Sequence, residues 1–271
     1  MKPGIYTNIS RAEYDNVFAL NQSGMKALKV SPYHMKYDWD HRNEQDPTEA
    51  MLEGNAFDMM MFEPGKYNDT VLYIPLKYNK NGSISKQQCT STYSKDGYIY
   101  MTSVNIKKLE NMKKSLLKKK VIRNILSHGT PTVTLFWNDL ETGIPCKARL
   151  DWLRQDDRFI ADLKTCRDIS DYGFTKQVAQ LKYYYQAYWY VEGMKVLTGD
   201  DYLFWFLCAE KNKYYQSRRF KIPPAEFQKR GVDSDIRDLK LRFADCLASD
   251  KWPGYDDELE ELYLPAYIEY D

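Results

Sequence analysis

Asp151 and Asp162 are separated by ten residues, and Lys164 follows the second after one intervening residue, in the stretch RLDWLRQDDRFIADLKT (149–165). The rest of that stretch is rich in apolar residues, so charge placed within it is costly unless something compensates it. Two carboxylates and a lysine are a donor set for a hard divalent cation. Mg2+ favours one or two carboxylates together with waters and phosphate oxygens, and an adjacent ammonium can hold a nucleophilic water or an anionic transition state.

A hairpin would place these groups. With Asp156-Asp157 as its two-residue loop, Gln155 pairs with Arg158, Leu153 faces Ile160, Asp151 faces Asp162 and Arg149 faces Lys164. Side chains alternate along a strand. Arg149, Asp151, Leu153, Ile160, Asp162 and Lys164 then share one face, and Ala148, Leu150, Trp152, Ala161, Leu163 and Thr165 form an apolar face bound for the core. A one-residue slip of either strand would bury its charges, so the register is well specified. Carboxylates directly opposite, with Cβ atoms roughly 5 Å apart, repel. A cation would relieve that conflict; so would a surface ladder in which Arg149 and Lys164 neutralise the aspartates diagonally. Spacing alone leaves both open.

The surrounding elements read as layers. NQSGMKALKVSPYHMKYDWDH (21–41) starts a helix at Asn21 or Ser23, interrupted near Pro32. PTEAMLEGNAFDMMMFEP (47–64) is a second helix, apolar on most sides and therefore buried. Residues 65–105 form a polar, Tyr- and Lys-rich excursion with room for short strands, followed by a basic helix over 104–128 ending at Gly129. Strands follow at 132–139, 146–154 and 158–166. A long helix spans 170–194, its inward stripe being Phe174, Val178, Leu181, Tyr185 and Tyr188. Strands at 201–210 and 214–223 and a last helix over 224–250 complete an α/β (α+β) fold with a mixed central sheet flanked by helices.

Composition sets bounds on function. Of 271 residues, 43% are hydrophobic, enough for a real core, and the formal net charge of +1 gives no global basic signature. A nucleic-acid role must rest on a local patch; KKLENMKKSLLKKKVIR (107–123) and Arg218-Arg219 are the candidates, and a solvated helix face is the plainer reading of the first. The five cysteines are dispersed without a CxxC pair, which argues against zinc or an iron–sulfur cluster and suits reduced thiols in a cytoplasm. No apolar run approaches a membrane span, and MKPGIYTNIS has no signal-peptide core.

The spacing Asp151…Asp162-Leu163-Lys164 resembles the PD-(D/E)XK nuclease signature in its DxK form, and the flanking segments resemble RecE-type phage exonucleases (exonuclease VIII-like, in the RecB-like branch) in the same order from about residue 20 to 267. ALNQSGMKALKVSPYHMKYDW resembles the opening helix, LEGNAFDMMMFEP the G-T-A-x-H-x-x-x-x-E-P block, VTLFWNDLETGIPCKARLDWL the strand carrying the first acid, GFTKQVAQLKYYYQAYWYVEG the helix with a QxxxY motif, and WPGYDDELEELYLP the tail. The resemblance implies a restriction-endonuclease-like core in a single nuclease domain over 1–271: N-terminal helices at 20–64, the excursion at 65–105, the catalytic core at 130–210 and a C-terminal strand, helix and tail at 211–271. It implies Asp151 and Asp162 as metal ligands with the Leu163 carbonyl as a third, Lys164 as the catalytic lysine, and Arg149, Gln180 and Tyr184 along the DNA backbone, with Gln186 buttressing their helix. The cofactor would be Mg2+, with Mn2+ as substitute.

The implied activity is 5′-to-3′ digestion of linear double-stranded DNA, leaving 3′ single-stranded tails for an annealing protein. A homo-oligomeric ring and a phage or prophage gene expressed in a bacterial cytoplasm would accompany it. Two departures stand out. The family histidine falls on Asp58, which can ligate Mg2+ more naturally than imidazole or can be a helical carboxylate bonded to its neighbours. The family glutamate on the preceding strand falls on Thr132, which supplies no charge, and Glu141 lies too far along to replace it. The alternatives are a weakened fold that only binds DNA or a recombination partner, and a structural phage protein.

Overall fold

The computed structural model describes residues 1–42, 44, 46–75 and 92–256. The centre of the 65–105 excursion, with Cys89, and the acidic tail from 257 onward lie outside the described residues. The chain begins with β1 (Gly4–Tyr6) and α1 (Arg11–Asn16), the latter opened by a capping box between Ser10 and Glu13. α2 (Gln22–Val30) starts at Asn21, whose Oδ1 accepts from Gly24 N at 2.7 Å. Ser31 ends α2 and caps α3 (Pro32–Asp40), with Pro32 at its first position, so the expected interruption is a junction between two helices. α4 (Glu49–Phe62) is capped by Thr48 and runs into α5 (Pro64–Thr70). β2 (Val71–Ile74), β3 (Thr92–Lys95) and β4 (Tyr98–Thr102) form a small sheet in the order β2-β4-β3.

The basic helix expected over 104–128 is two helices, α6 (Ser103–Lys118) and α7 (Lys120–Ser127). α6 buries Leu109, Met112 and Leu116. The next positions in phase are Lys119 and Lys120, which an unbroken helix would carry into the core. The chain instead extends at Lys119 and restarts so that Ile122 and Ile125 point inward.

The central sheet comprises β1, β5 (Thr130–Asn138), β6 (Pro145–Arg154), β7 (Phe159–Cys166), β8 (Leu203–Glu210) and β9 (Ser217–Phe220) in the order β1-β5-β6-β7-β8-β9. Only β7 and β8 are parallel within it, and α8 (Asp171–Gln180) and α9 (Tyr183–Thr198) make the crossover that a parallel pair needs. α10 (Pro224–Lys229) and α11 (Val232–Ser249) follow, divided at Gly231 with φ +65. The sheet is covered on both faces. Met25 and Leu28 of α2, Tyr185 and Trp189 of α9 and Phe243 of α11 pack over one face; Phe57 and Met60 of α4, Leu109 and Met112 of α6 and Ile122 of α7 pack over the other.

The single helix expected over 170–194 is also broken. Lys182 has φ +51 and ψ 43, between α8 and α9. The break rotates the second half, leaving Leu181 of the expected stripe exposed while Gln186, Trp189 and Tyr190 turn inward. α9 ends at Gly199 with φ +79, the left-handed position at which glycine carries no Cβ penalty. Within α9, Gly193 lies against Trp137, and a Cβ there would come within 2.9 Å of the indole. Gly193→Ala is therefore expected to destabilise the protein by about 1–3 kcal/mol through overpacking, despite alanine's better helix propensity, as read from the midpoint of urea unfolding.

Candidate active site

β6 and β7 pair at Trp152↔Ala161, Leu153↔Ile160 and Arg154↔Phe159, the register the hairpin reading gave, and Arg158 N donates to Gln155 O at 3.1 Å across the turn. The ladder then stops. Asp151 and Asp162 come next in register but are not strand partners, and neither are Arg149 and Lys164. Asp151 Oδ2 instead accepts the Leu163 N–H at 2.8 Å, where a β6 carbonyl would otherwise serve. The other side of β6 is interrupted at the same level: Pro131 pairs with Trp152 and Val133 with Leu150, while Thr132, between them, is left-handed with φ +54. A left-handed conformation costs a non-glycine residue roughly 1–2 kcal/mol, and such strain gathers at functional sites.

This break overturns the single apolar face expected for Ala148, Leu150, Trp152, Ala161 and Leu163. Ala148 and Leu150 pack in the same core as Leu153 and Ile160, whereas Trp152, Ala161 and Leu163 pack in the opposite one. Strict alternation fails because β6 changes face between Leu150 and Leu153, the interval that holds Asp151.

Asp162 is wholly buried. Its Oδ1 accepts from Gln186 Nε2 at 2.6 Å, and Gln186 also donates to the Tyr190 hydroxyl at 3.0 Å. Its Oδ2 has Lys164 Nζ at 2.5 Å and, among the described residues, no other donor. The Lys164 ammonium also lies 4.6 Å from the centre of the Tyr183 ring. Asp58, on α4 from the opposite layer, shares this field. Burial raises its carboxyl well above the usual range, the Asp151 charge raises it further, Lys164 opposes, and Asp162 and Glu63 add to the rise. Burial and then the Asp162 charge push Asp151 up to about 7, against Lys164 and the Leu163 N–H. Asp162 is also raised by burial, with Lys164 opposing. Burial works against the charge on Lys164, but Asp162 and Asp151 outweigh it and hold the ammonium above the ordinary lysine range.

Three carboxylates in one buried field, Asp162 raising the proton affinity of Asp151 and both raising that of Asp58, match a hard divalent cation in donor type and in charge. Among the described residues, no three carboxylate, imidazole or thiolate groups are yet spaced to hold one ion. The oxygens of Asp162 are engaged by Gln186 and Lys164, and Oδ2 of Asp151 by a backbone N–H.

A model of the PDDEXK-like domain of unknown function (DUF3799) matches residues 21–263. The chain belongs to this family. A crystal structure from Eubacterium rectale, of a protein provisionally named an exonuclease, has the same fold at a TM-score of 0.59 and 17% identity, over 91% of this chain and 90% of that one. No curated protein matches. The mixed sheet flanked by helices is thus a PDDEXK-like fold, and the family is one of nuclease type, so a divalent cation is the cofactor it implies.

Placed in this PDDEXK-like frame, the expected residues divide. Asp151, Asp162 and Lys164 adjoin on β6 and β7 and share an electrostatic field with Asp58 of α4, and Leu163 enters through its N–H. Arg149 is turned to structural use, donating to Ile9 O at 3.0 Å and fixing the N-terminal segment on the sheet. Gln180 is exposed at the end of α8, and Tyr184 is half-buried against Tyr185. The glutamine that meets the acids is Gln186, with Tyr190 four residues on. QLKYYYQAYWY contains the glutamine–tyrosine spacing twice, and only the break at Lys182 decides which pair faces the site. Lys26 of α2 escaped the sequence reading; burial and the charges of Lys164 and Lys182 lower its ammonium to about 8. Among the described residues no helix is long and apolar enough to cross a membrane.

The Asp151 carboxyl holds its proton more tightly in the folded protein than in the unfolded chain, so it subtracts from stability as pH climbs from the unfolded value towards 7. Asp151→Asn keeps an acceptor for Leu163 and is expected to stabilise the chelator-treated protein by about 1–3 kcal/mol above neutral pH. The gain should fade as the pH falls to about 4, where both states are protonated. Added Mg2+ should raise the melting temperature of the wild type and leave that of the variant unmoved.

Proposed function

We propose that the protein is a metal-dependent deoxyribonuclease that hydrolyses phosphodiester bonds. In its finer form it is a 5′-to-3′ exonuclease that enters linear double-stranded DNA at its ends and leaves 3′ single-stranded tails for recombination by strand annealing. What supports the nuclease reading is the Asp162–Lys164 ion pair beside Asp151, which accepts the neighbouring Leu163 N–H, with Asp58 of α4 in the same electrostatic field. Polarity, preference for duplex ends, a ring-shaped homo-oligomer and an annealing-protein partner rest on the RecE-type resemblance.

Asp58, Asp151 and Asp162 would hold Mg2+, or Mn2+ in its place. When bound, the cation supplies Lewis acidity at a phosphoryl oxygen and a water of lowered pKa. Lys164 remains an ammonium at neutral pH because two aspartates surround it, so it acts as a fixed positive charge toward the pentavalent phosphorus and not as a base. Gln186 fixes the orientation of Asp162 through Oδ1. Trp152, Leu163 and Ile160, packed on either side of the acids, keep bulk water from screening these charges.

A second reading, a DNA- or partner-binding module with weakened catalysis, is favoured by the closed Asp162–Lys164 pair and by Thr132 in place of the strand glutamate. An end-labelled linear duplex with Mg2+ or Mn2+ separates the two. The wild type is expected to release label from 5′ ends and spare closed circles, and Lys164→Ala to lower the rate by about 10²–10³-fold. Binding of duplex without digestion would favour the module, and neither binding nor digestion would remove both readings.

A further inference from the structure

The lysines of α6 divide into two sets. Lys107 pairs with Glu110 at 3.6 Å, Lys108 pairs with Glu53, and Lys113 Nζ donates to Met60 O at 2.7 Å. Lys114 and Lys118, one turn apart, make no ion pair or side-chain hydrogen bond among the described residues, and neither does Lys119 at the break that follows. Like charges at that spacing destabilise a helix. All three line one cleft of about 530 Å3, together with Asn111 and Ser115, and no carboxylate is in its lining. The two arginines of β9 are not part of it: Arg218 donates to Ile169 O at 3.0 Å and pairs with Asp171, and Arg219 sits over the Trp205 ring.

The facing wall is the turn between β8 and β9, with Tyr214 and Tyr215. Two bonds fasten the start of β9 to the helix: Ser115 Oγ donates to Ser217 Oγ at 3.0 Å, and Ser217 Oγ to Ser115 O at 3.0 Å. Asn212 shapes the turn, its Oδ1 accepting from Tyr214 N at 2.9 Å and its carbonyl from Tyr215 N at 3.2 Å. Tyr215 is left-handed with φ +48, a conformation unfavourable for an aromatic residue and open to glycine. Tyr215 packs against the core beneath α6, while Tyr214 stays 64% exposed, with Lys213 Nζ 5.1 Å from the centre of its ring. A strained turn thus holds a large ring in solvent, opposite three uncompensated ammonium groups.

We propose that this cleft binds a segment of single-stranded nucleic acid, with phosphates against Lys114, Lys118 and Lys119 and a base stacked on Tyr214. The lysines require a polyanion, and the ring selects among polyanions. A base offers its π-face to a side chain only where it is unpaired and unstacked from its neighbours, so a duplex satisfies the lysines and leaves the tyrosine without a role. Asn111, beside Lys114 and Lys118, adds a neutral donor and acceptor suited to a base edge. The inference goes beyond the hydrolytic reading: no acid of the candidate active site lines the cleft, and binding there needs no cation.

The test is fluorescence anisotropy of oligo(dT) and oligo(rU), each of about twelve nucleotides, with the full-length protein in EDTA. Tyr214→Ala, at an exposed position, is expected to leave the melting temperature unchanged and to weaken binding of the tighter oligonucleotide about tenfold, while affinity for a duplex of equal length changes less than about twofold. Neutralising the lysines together, as Lys114→Gln, Lys118→Gln and Lys119→Gln in one chain, should make the slope of log K against log salt shallower by about 2, from three single-strand phosphate contacts at roughly 0.7 each. The tighter of the two oligonucleotides identifies the source as DNA or RNA. If Tyr214→Ala binds both as the wild type does, the proposal is overturned. An equal loss of duplex and single-strand affinity in Tyr214→Ala overturns it too, as does a wild type that binds neither oligonucleotide. Because binding is read without metal, failure of the digestion assay leaves this result standing, and failure here leaves the nuclease reading standing.

Discussion

A backbone N–H enclosed between two strands has to find an acceptor. At Leu163 the acceptor is the Asp151 side chain, because the last pair of the β6–β7 ladder is Trp152↔Ala161, two positions earlier. That exchange of a carbonyl for a carboxylate determines much of what surrounds it. It holds Asp151 at the mouth of the split between the strands, where a ladder partner would have held it flat in the sheet. It also leaves space for Asp162 and Lys164 to turn toward each other, and for Asp58 to approach from the helical layer on the opposite side. The strained Thr132 on β5 is the matching distortion: both neighbours of β6 release it at the same residue.

The electrostatics follow from that geometry. Burial alone would drive all three aspartates towards neutrality and strip Lys164 of its proton. The lysine keeps its charge because Asp162 and Asp151 together outweigh its desolvation, but a single ammonium does not offset the acids, and Asp58 and Asp151 remain displaced upward. Lys26 also opposes the rise of Asp162, although burial and the charges of Lys164 and Lys182 loosen its own proton. The site is thus short of positive charge in a place that water does not reach freely. Gln186, neutral and doubly bonded, orients Asp162 without changing that balance.

Much of this was legible in the sequence, for identifiable reasons. The hairpin register was, because apolar alternation on 159–163 and a turn at 155–158 leave few choices; so was the helix start at Asn21, whose side chain accepts an orphan N–H group. The DxK spacing marked the acids and the lysine. The face change in β6 was hidden, since it depends on a backbone state of Thr132 that no local preference announces. The breaks at Lys119 and Lys182 were hidden too: lysine is a good helix former, and tertiary packing overrides that preference. Glu63 was visible as part of a motif but not as a neighbour of Thr132, because a contact across 69 residues is settled by layer packing alone.

The left-handed residue at Lys182 sets the rotational phase of everything after it. Each residue of an α-helix advances the side chain by about 100°, so gaining or losing one residue between α8 and α9 would swing Gln186 away from the acids without altering any apolar count. Two glutamine–tyrosine pairs six residues apart therefore carry different meanings, and the joint between them assigns those meanings.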